Sequence, residues 1–207
     1  MNGPLAVPSK SSSLSRTLIR AGRFDPVEGP WRSPEGERHG KVMMDAPSFA
    51  IVVPVTPGGR IALVRNRHPV PDLHLLEWPG GLIEPGESPR TALRRELTEE
   101  TGYRAGQLSA LGRYYPNSHW GTYRGHVFVA EDLRSGPPSP DPEEWLELQT
   151  LPIQKAYGRS RGGDFLDGHT IVALCSAEAF LRARGWKIGA ATPPSLDTPP
   201  DRRGELA

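Results

Sequence analysis

Three glutamates close to the middle of the chain have a spacing that suits metal binding. Glu96, Glu99 and Glu100 stand at positions i, i+3 and i+4, so on a helix they would share one face. Like charges at this spacing repel one another. A divalent cation such as Mg²⁺ or Mn²⁺, which prefers oxygen ligands and commonly binds together with substrate phosphates, would reverse that repulsion. The cluster predicts a metal site, although three glutamates alone would also fit a solvated acidic helix face.

A glycine-rich loop precedes the glutamates and would bring its backbone close to the same point. Gly80, Gly81 and Gly86 permit a close approach because they lack a Cβ atom. Glu87 ends this loop. Arg95 is expected to point away from the glutamate face and to hold Glu87 in a bidentate ion pair. Together, the loop and the glutamates predict a cradle for a diphosphate group and a metal ion.

A helix over residues 89–101 is needed to hold these side chains in place. Ser88 is a suitable N-cap, and Gly102 suits a left-handed stop at the C-terminal end. Leu93 and Leu97 recur at helical spacing on the opposite face, so we expect them to be buried.

The whole pattern resembles the box that defines the Nudix hydrolase family. In that box a glycine is followed, after five residues, by a glutamate. Seven residues later come Arg-Glu, an aliphatic residue, any residue, Glu-Glu, any residue and a second glycine. The matching positions here are Gly81, Glu87, Arg95, Glu96, Leu97, Glu99, Glu100 and Gly102.

This resemblance implies a fold, a reaction and a role for each residue of the box. The fold would be an α/β/α sandwich around a mixed β-sheet, and the reaction would be hydrolysis of a nucleoside diphosphate linked to a group X. The implied metal ligands are Glu96, Glu99, Glu100 and the backbone carbonyl of Gly80, with Glu99 also a catalytic candidate. The implied structural supports are Gly81, Glu87, Arg95 and Gly102.

The remaining elements place the chain in the α/β or α+β class, because strands and helices alternate. Strands are predicted at residues 49–56, 61–65, 108–115, 124–130 and 144–149. The turn formers Pro57, Gly58 and Gly59 predict a hairpin between the first two of these strands.

A second helix is predicted over residues 169–184, with Gly185 ending it. Its apolar positions Ile171, Leu174, Cys175 and Ala179 recur at helical spacing, so we expect this face to be buried. Cys175 is the only cysteine, and it is expected to be an inert thiol in the core.

The resemblance implies one hydrolase domain at residues 46–187, and a small β-rich extension is expected before it at 16–45. The segments 1–15 and 188–207 are rich in Ser, Pro and Gly and are expected to be disordered tails. No apolar run approaches the ~18 residues of a membrane helix, and no apolar run of signal-peptide length follows the N-terminus. We therefore expect a cytoplasmic protein without a membrane partner, and the net charge of +1 gives no reason to expect nucleic acid.

The segments that flank the box resemble the ADP-ribose and ADP-sugar pyrophosphatase branch of the family. The similar segments are 61–70, 75–87, 125–133 and 163–181. The resemblance implies hydrolysis of ADP-ribose or another ADP-sugar to AMP and a sugar phosphate. Two alternatives stay open: a house-cleaning hydrolase of (deoxy)nucleoside triphosphates or dinucleoside polyphosphates, and a non-catalytic module that senses nucleotides. Retention of all the box glutamates favours an enzyme.

Several residues outside the box are candidates for binding substrate or activating water. Arg65 and Arg67 suit phosphate contacts, although solvent-facing strand ends would look the same. Trp120 suits stacking on an adenine ring. The attacking water needs a general base, and in the branch that this chain resembles a glutamate on a later loop often serves. Glu144 and Glu143 stand at the matching place.

The N-terminal extension also predicts a homodimer. Its apolar residues are spread among turn formers, and too few are contiguous to form a separate core. In the branch that this chain resembles, the second subunit often covers such strands and completes the nucleotide pocket.

Overall fold

The computed structural model describes residues 16–17, 25–32, 35–68, 72–139 and 145–189. These residues form ten strands and three helices. The strands are β1 (Arg16–Thr17), β2 (Asp25–Arg32), β3 (Arg38–Asp45), β4 (Phe49–Pro54), β5 (Arg60–His68), β6 (Leu73–Glu77), β7 (Gly80–Leu82), β8 (Arg104–Tyr114), β9 (Gly125–Arg134) and β10 (Leu146–Pro152). The helices are α1 (Pro89–Thr101), α2 (Ile153–Arg161) and α3 (Gly168–Ala183). The predicted α/β class is confirmed.

The described residues fall into two compact units. The larger unit holds Ser48–Tyr114 and the described residues from Arg124 onward. The smaller unit holds the described residues up to Pro47 together with Tyr115–Tyr123. The loop at 115–123 therefore belongs with the N-terminal strands, a division that the sequence does not indicate.

The larger unit contains a mixed sheet with helices on both faces. Its strand order is β7-β4-β9-β8, in which β4 and β9 run parallel and the other pairs run antiparallel. Alternate residues of β4 face opposite sides of this sheet. Ala50 and Val52 join Leu93 of α1 in one buried cluster, whereas Ile51 and Val53 join a second cluster that contains α3. This arrangement confirms the predicted α/β/α sandwich.

A second antiparallel sheet in the same unit has the order β10-β5-β6. Strand β5 buries Ile61 and Leu63 in the cluster shared with α2 and α3. The sequence missed β6, β7 and α2. These elements are short or rich in glycine and polar residues, so their periodicity is weak.

The turn predicted after β4 is present, but the predicted pairing of β4 with β5 as a hairpin is wrong. Only a single bridge, Val55 to Ile61, joins the two segments among the described residues, and β4 and β5 belong to different sheets. The physical reason is that β4 already pairs with β7 on one side and β9 on the other, so it has no free edge.

Helix α3 has the predicted bounds within one residue, but it buries a different face. Leu174, Ala177 and Leu181 are buried, whereas Ile171 is 38% exposed and Cys175 is exposed. Ala179 is exposed as well. Each residue turns the helix by about 100°, so Cys175 cannot share the orientation of Leu174. The prediction of a buried Cys175 is therefore wrong.

Within the predicted β-rich extension, the described residues of the smaller unit form the strands β1, β2 and β3. Its sheet has the order β1-β2-β3. The loop at 115–123 adds to it, because the Met44 N–H donates to the carbonyl of Trp120 at 2.6 Å and Met44 forms a parallel bridge with Gly121.

The predicted tail at 1–15 and nearly all of the tail at 188–207 lie outside the described residues. Ile188 is the exception of note, because it is 5% exposed and belongs to the core beside α3. Among the described residues, no helix has the length and apolar character needed to cross a membrane.

Candidate active site

The box helix begins and ends as its sequence predicts. The Ser88 hydroxyl accepts a hydrogen bond from the Thr91 N–H at 3.1 Å, which satisfies a free donor of the first turn. Gly102 ends the helix with φ of +72°, and its N–H donates to Thr98 O at 2.9 Å. Leu93 and Leu97 are fully buried against the sheet. The glutamate face of α1 is therefore fixed by packing on its other side.

Arg95 is the centre of the site. Its Nε donates to Glu87 Oε1 at 3.1 Å and its Nη2 donates to Glu87 Oε2 at 3.1 Å, so the predicted bidentate pair is present. Its Nη1 also donates to Glu96 at 2.8 Å and to Glu99 at 3.2 Å. The expectation that Arg95 points away from the glutamates is therefore wrong, because a guanidinium between carboxylates relieves their mutual repulsion.

Glu87 also shapes the loop that leads into the helix. Its carboxylate accepts from the Glu84 N–H at 3.1 Å, and its own N–H donates to Glu84 O at 2.9 Å. The hydrogen bond from Arg95 holds the pKa of the Glu87 carboxyl below its usual range. Its carboxylate in turn raises the pKa of Arg95. Both side chains are therefore held in their charged forms.

Glu100 and Gly80 meet on the inner side of the site. Glu100 is 9% exposed, and its Oε2 accepts a hydrogen bond from the Gly80 N–H at 3.1 Å. Gly80 has φ of +154°, and a Cβ atom there would overlap the carbonyl oxygen of Ala50. A side chain at Gly81 would overlap the carboxylate of Glu96. Only glycine allows this strand to lie directly against the glutamates.

The donor set fits a hard divalent cation. Glu96, Glu99 and Glu100, with the nearby Gly80 backbone, offer oxygen donors only, which Mg²⁺ and similar ions prefer. Among the described residues, no group of three or more His, Cys, Asp or Glu side chains is gathered closely enough to form a metal cage. The guanidinium of Arg95 accounts for this, because its Nη1 bonds both Glu96 and Glu99.

The other predicted site residues lie on separate elements. Arg65 lies on β5, 3.9 Å from the carboxylate of Glu147, and Arg67 is an exposed side chain paired with Asp72 at 2.9 Å. Trp120 is 50% exposed and belongs to the smaller unit, where its ring meets that of His119 edge-on. None of these observations assigns a substrate contact.

Both predicted general bases, Glu143 and Glu144, lie outside the described residues. The segment just before them is described and docks on the end of α1. There the Ser139 N–H donates to Glu99 O at 2.8 Å, and the carbonyl of Gly136 lies against Gly102. This contact ties the start of the loop to the helix that carries the glutamates.

Sequence reasoning missed a group of polar side chains near the lead-in to Gly80. His68 lies 2.6 Å from Glu77, and the hydroxyl of Tyr114 lies 2.7 Å from His169 Nδ1. Burial raises the pKa of Glu77, aided by the charge of Asp167 and opposed by His68. Glu77 lies within the segment 75–87 that resembles the family, and this resemblance was the only sequence signal that could have pointed to it. Tyr114 and His169 gave none.

Comparison with known proteins decides the family. The model of the NUDIX domain matches residues 44–167, which is more than half of the 207 residues. The chain belongs to the NUDIX family. The Nudix-type hydrolase predicted from the box is thereby confirmed, and a divalent metal ion is the general requirement of such enzymes.

Three proteins similar to this Nudix protein have names that describe hydrolysis of nucleotide derivatives. The ADP-ribose pyrophosphatase of Bacillus subtilis is 28% identical over 143 residues, or 68% of this chain and 77% of that protein. The CMP-5'-(N-acetyl-N-hydroxy-3-aminopropyl)phosphonate hydrolase of Streptomyces rubellomurinus is 31% identical over 153 residues, or 73% of each chain. A crystal structure of an ADP compounds hydrolase matches with a TM-score of 0.72 and 25% identity, over 86% of this chain and 99% of that one.

Proposed function

We propose that this Nudix protein hydrolyses ADP-ribose or another ADP-sugar to AMP and a sugar phosphate, with Mg²⁺ or Mn²⁺ as its metal ion. The observation that carries the proposal is the complete box in folded form: Arg95 contacts Glu96 and Glu99 on α1, and Glu100 accepts from the Gly80 N–H. The relatives named above and the resemblance of the flanking segments support an ADP-linked substrate.

Each box residue has a proposed role that follows from its contacts. Glu96, Glu99, Glu100 and the Gly80 carbonyl would hold the metal ion, which neutralises charge on the diphosphate when bound. Glu87 fixes Arg95, and Arg95 in turn orients Glu96 and Glu99. Because only Nη1 of Arg95 contacts Glu96 and Glu99, these two carboxylates could turn toward a cation while the bidentate pair of Arg95 with Glu87 stays intact.

The chemical step is attack of water on one phosphorus of the diphosphate. A P–O bond forms to the water oxygen, and the anhydride P–O bond breaks, so AMP and a sugar phosphate separate. The proton of the water passes to a general base, for which Glu144, or else Glu143, is proposed from the sequence. Docking of Ser139 on Glu99 supports this assignment. Glu144 follows Ser139 by five residues, which span at most about 18 Å when fully extended.

A substrate panel tests the proposal. ADP-ribose, ADP-glucose, GDP-mannose, ATP, dATP and diadenosine tetraphosphate should be compared by kcat/KM with Mg²⁺ present, and products identified by chromatography. We expect the ADP-sugars to give the highest values and to release AMP. A higher kcat/KM for a triphosphate or a dinucleoside polyphosphate would instead establish the house-cleaning alternative.

A further inference from the structure

A half-buried polar cluster joins β5, β6, β8 and the start of α3. We define it as His68, Glu77, Tyr114, Asp167 and His169. His68 and Glu77 lie on β5 and β6, and the Nε2 of His68 is 2.6 Å from Glu77 Oε1. The Glu77 side chain is only 15% exposed, so its charge is partly removed from water.

The first turn of α3 forms the other side of the cluster. Asp167 caps the helix, since its Oδ2 accepts from the Thr170 N–H at 2.6 Å. The indole N–H of Trp78 donates to Thr170 O at 2.9 Å, which ties the residue after Glu77 to this turn. The charge of Asp167 contributes to raising the pKa of both Glu77 and Tyr114, in keeping with their closeness.

Tyr114 and His169 complete the cluster. The Tyr114 hydroxyl is 2.7 Å from His169 Nδ1, and the His169 ring lies 4.7 Å from the ring of Phe49, centroid to centroid. Burial raises the pKa of Tyr114, so its hydroxyl stays protonated. A hydroxyl that donates to Nδ1 fixes the proton of a neutral imidazole on Nε2, which makes that nitrogen a donor.

The cluster lies close to the box along the chain and across the sheet. Glu77 precedes Gly80 by three residues, which span at most about 11 Å. Phe49, which contacts His169, is the register partner of Leu82 on β7. The Leu82 carbonyl accepts a hydrogen bond from Arg95 at 3.2 Å. The cluster is therefore linked to the box at two points, through Glu77 and Gly80 and through Phe49 and Leu82.

The chemistry of the cluster suits hydroxyl groups better than a further phosphate. Glu77, Asp167 and the Tyr114 oxygen are acceptors, whereas the Nε2–H of His169 is a donor, so a sugar hydroxyl can both donate and accept a hydrogen bond here. A phosphate would meet repulsion from two carboxylates in a partly dehydrated place, where charges interact strongly. A sugar carries several neutral hydroxyls and avoids that repulsion.

We propose that Glu77 and the Tyr114–His169 pair bind hydroxyl groups of the sugar attached to the diphosphate, and so select sugar nucleotides over other nucleotides. This inference rests on the proposed function and deepens it. Glu77, Tyr114 and His169 lie on β6, β8 and α3, outside the box. A site built to hydrogen-bond a hydroxyl discriminates against a substrate that lacks it, because its polar groups then stay without a partner.

The test compares two substrates that differ only in the sugar. ADP-ribose and the β-methyl ester of ADP share the diphosphate, and the ester has no hydroxyl on X. Tyr114→Phe should lower the ratio of kcat/KM for ADP-ribose to that for the ester by about tenfold, equivalent to ~1.4 kcal/mol. His169→Phe, which keeps a ring against Phe49, should lower the same ratio.

Tyr157→Phe is the matched control. Its hydroxyl is also buried and donates to Leu174 O at 2.8 Å, but it is not part of the cluster, so its loss should leave the ratio unchanged. If the unaltered protein cleaves no ADP-sugar, the proposed function fails and the assignment of the cluster fails with it. If it cleaves ADP-ribose but neither cluster variant changes the ratio, only the assignment of the cluster is overturned.

Discussion

The carboxylates of the box are held by two kinds of donor, the guanidinium of Arg95 and the backbone N–H of Gly80. Arg95 contacts Glu87, Glu96 and Glu99, whereas Glu100 accepts from the Gly80 N–H. A cation must therefore compete with a guanidinium for two carboxylates, but at Glu100 it meets a neutral backbone donor. Glu100 is thus the carboxylate at which a substitution tests metal binding most directly.

Glu100→Gln should reduce kcat/KM for ADP-ribose by at least about 10²-fold, the scale seen when a stabiliser of the transition state is removed. The change keeps size and removes charge, so the fold should persist. Turnover should be measured across a titration of Mg²⁺ and in excess chelator. Glu178→Gln is the control, because it removes a carboxylate paired with Arg182 on α3. Near-normal turnover of Glu100→Gln, or turnover in chelator, would contradict the metal role.

Glu87 should make the protein sensitive to acid. Its folded pKa lies below the unfolded value of about 4.3, because Arg95 donates hydrogen bonds to its charged form. Its contribution to stability is therefore complete above that pH and is lost as the pH falls through the folded pKa. The difference in free energy of unfolding between the protein and Glu87→Gln should be present at pH 7 and shrink below about pH 4. A difference that is independent of pH would refute this role of the pair.

Residue types and spacing were enough to predict the box, because its members lie within 23 residues and a single helix aligns them. The same reasoning could not find Glu77, Tyr114 and His169. They are separated by 37 and 55 positions, and only the sheet and the packing of α3 bring them together. The contact of Arg95 with Glu96 was also missed, since its geometry depends on rotamers and not on spacing.

Among the elements, α1 depends on the glycine that ends it. Gly102 has φ of +72°, and the carbonyl of Gly136 lies where a side chain would be. The left-handed conformation and the close carbonyl both disfavour a side chain at this position. The conformation is strained for residues with a Cβ atom. The same glycine thus serves the helix end and the segment that docks on it.

Gly102→Ala should lower the free energy of unfolding by about 2 kcal/mol, or the midpoint of thermal unfolding by ~4–8 °C. It should also lower kcat, because it displaces the segment before residues 143 and 144. Gly58→Ala is the control, since that glycine is exposed and a Cβ atom added there would have no neighbour within 4 Å. Equal stability of both variants in calorimetry would show that the close contact at Gly102 carries no strain.

Strand assignments succeeded where alternation was clear and failed where topology decides. The turn after β4 was predicted correctly, but its pairing partners are β7 and β9, which are distant in sequence. Local turn chemistry cannot show that both edges of a strand are already taken. For α3, the spacing of apolar residues predicted the helix but not which of its faces is buried.

For the whole molecule, the smaller unit supports the prediction of a homodimer. Its described sheet has three strands, and a sheet of this size is stable only if it has a hydrophobic face to bury. Val42, Tyr115 and Trp120 in this unit are each more than 40% exposed. A second copy of the chain would cover this apolar surface.

Light scattering should therefore give twice the mass of the 22.6 kDa chain. Removal of residues 1–45 should dissociate or unfold the protein and reduce activity, because an obligate dimer has little stable folded monomer. Removal of residues 190–207 is the matched truncation, and the measured mass should still be twice that of the shortened chain. A monodisperse and fully active monomer at assay concentration would reject the dimer.

The exposed thiol on α3 offers a way to watch the protein at work. Cys175 is the sole cysteine, so a maleimide dye or spin label would attach at one position per chain. It follows His169 by six residues, about 9 Å along the helix. The emission of a fluorophore there would change on nucleotide binding at the nearby helix turn, and no second labelled cysteine would add to the signal. In a symmetric pair of chains, two spin labels would yield a single interspin distance.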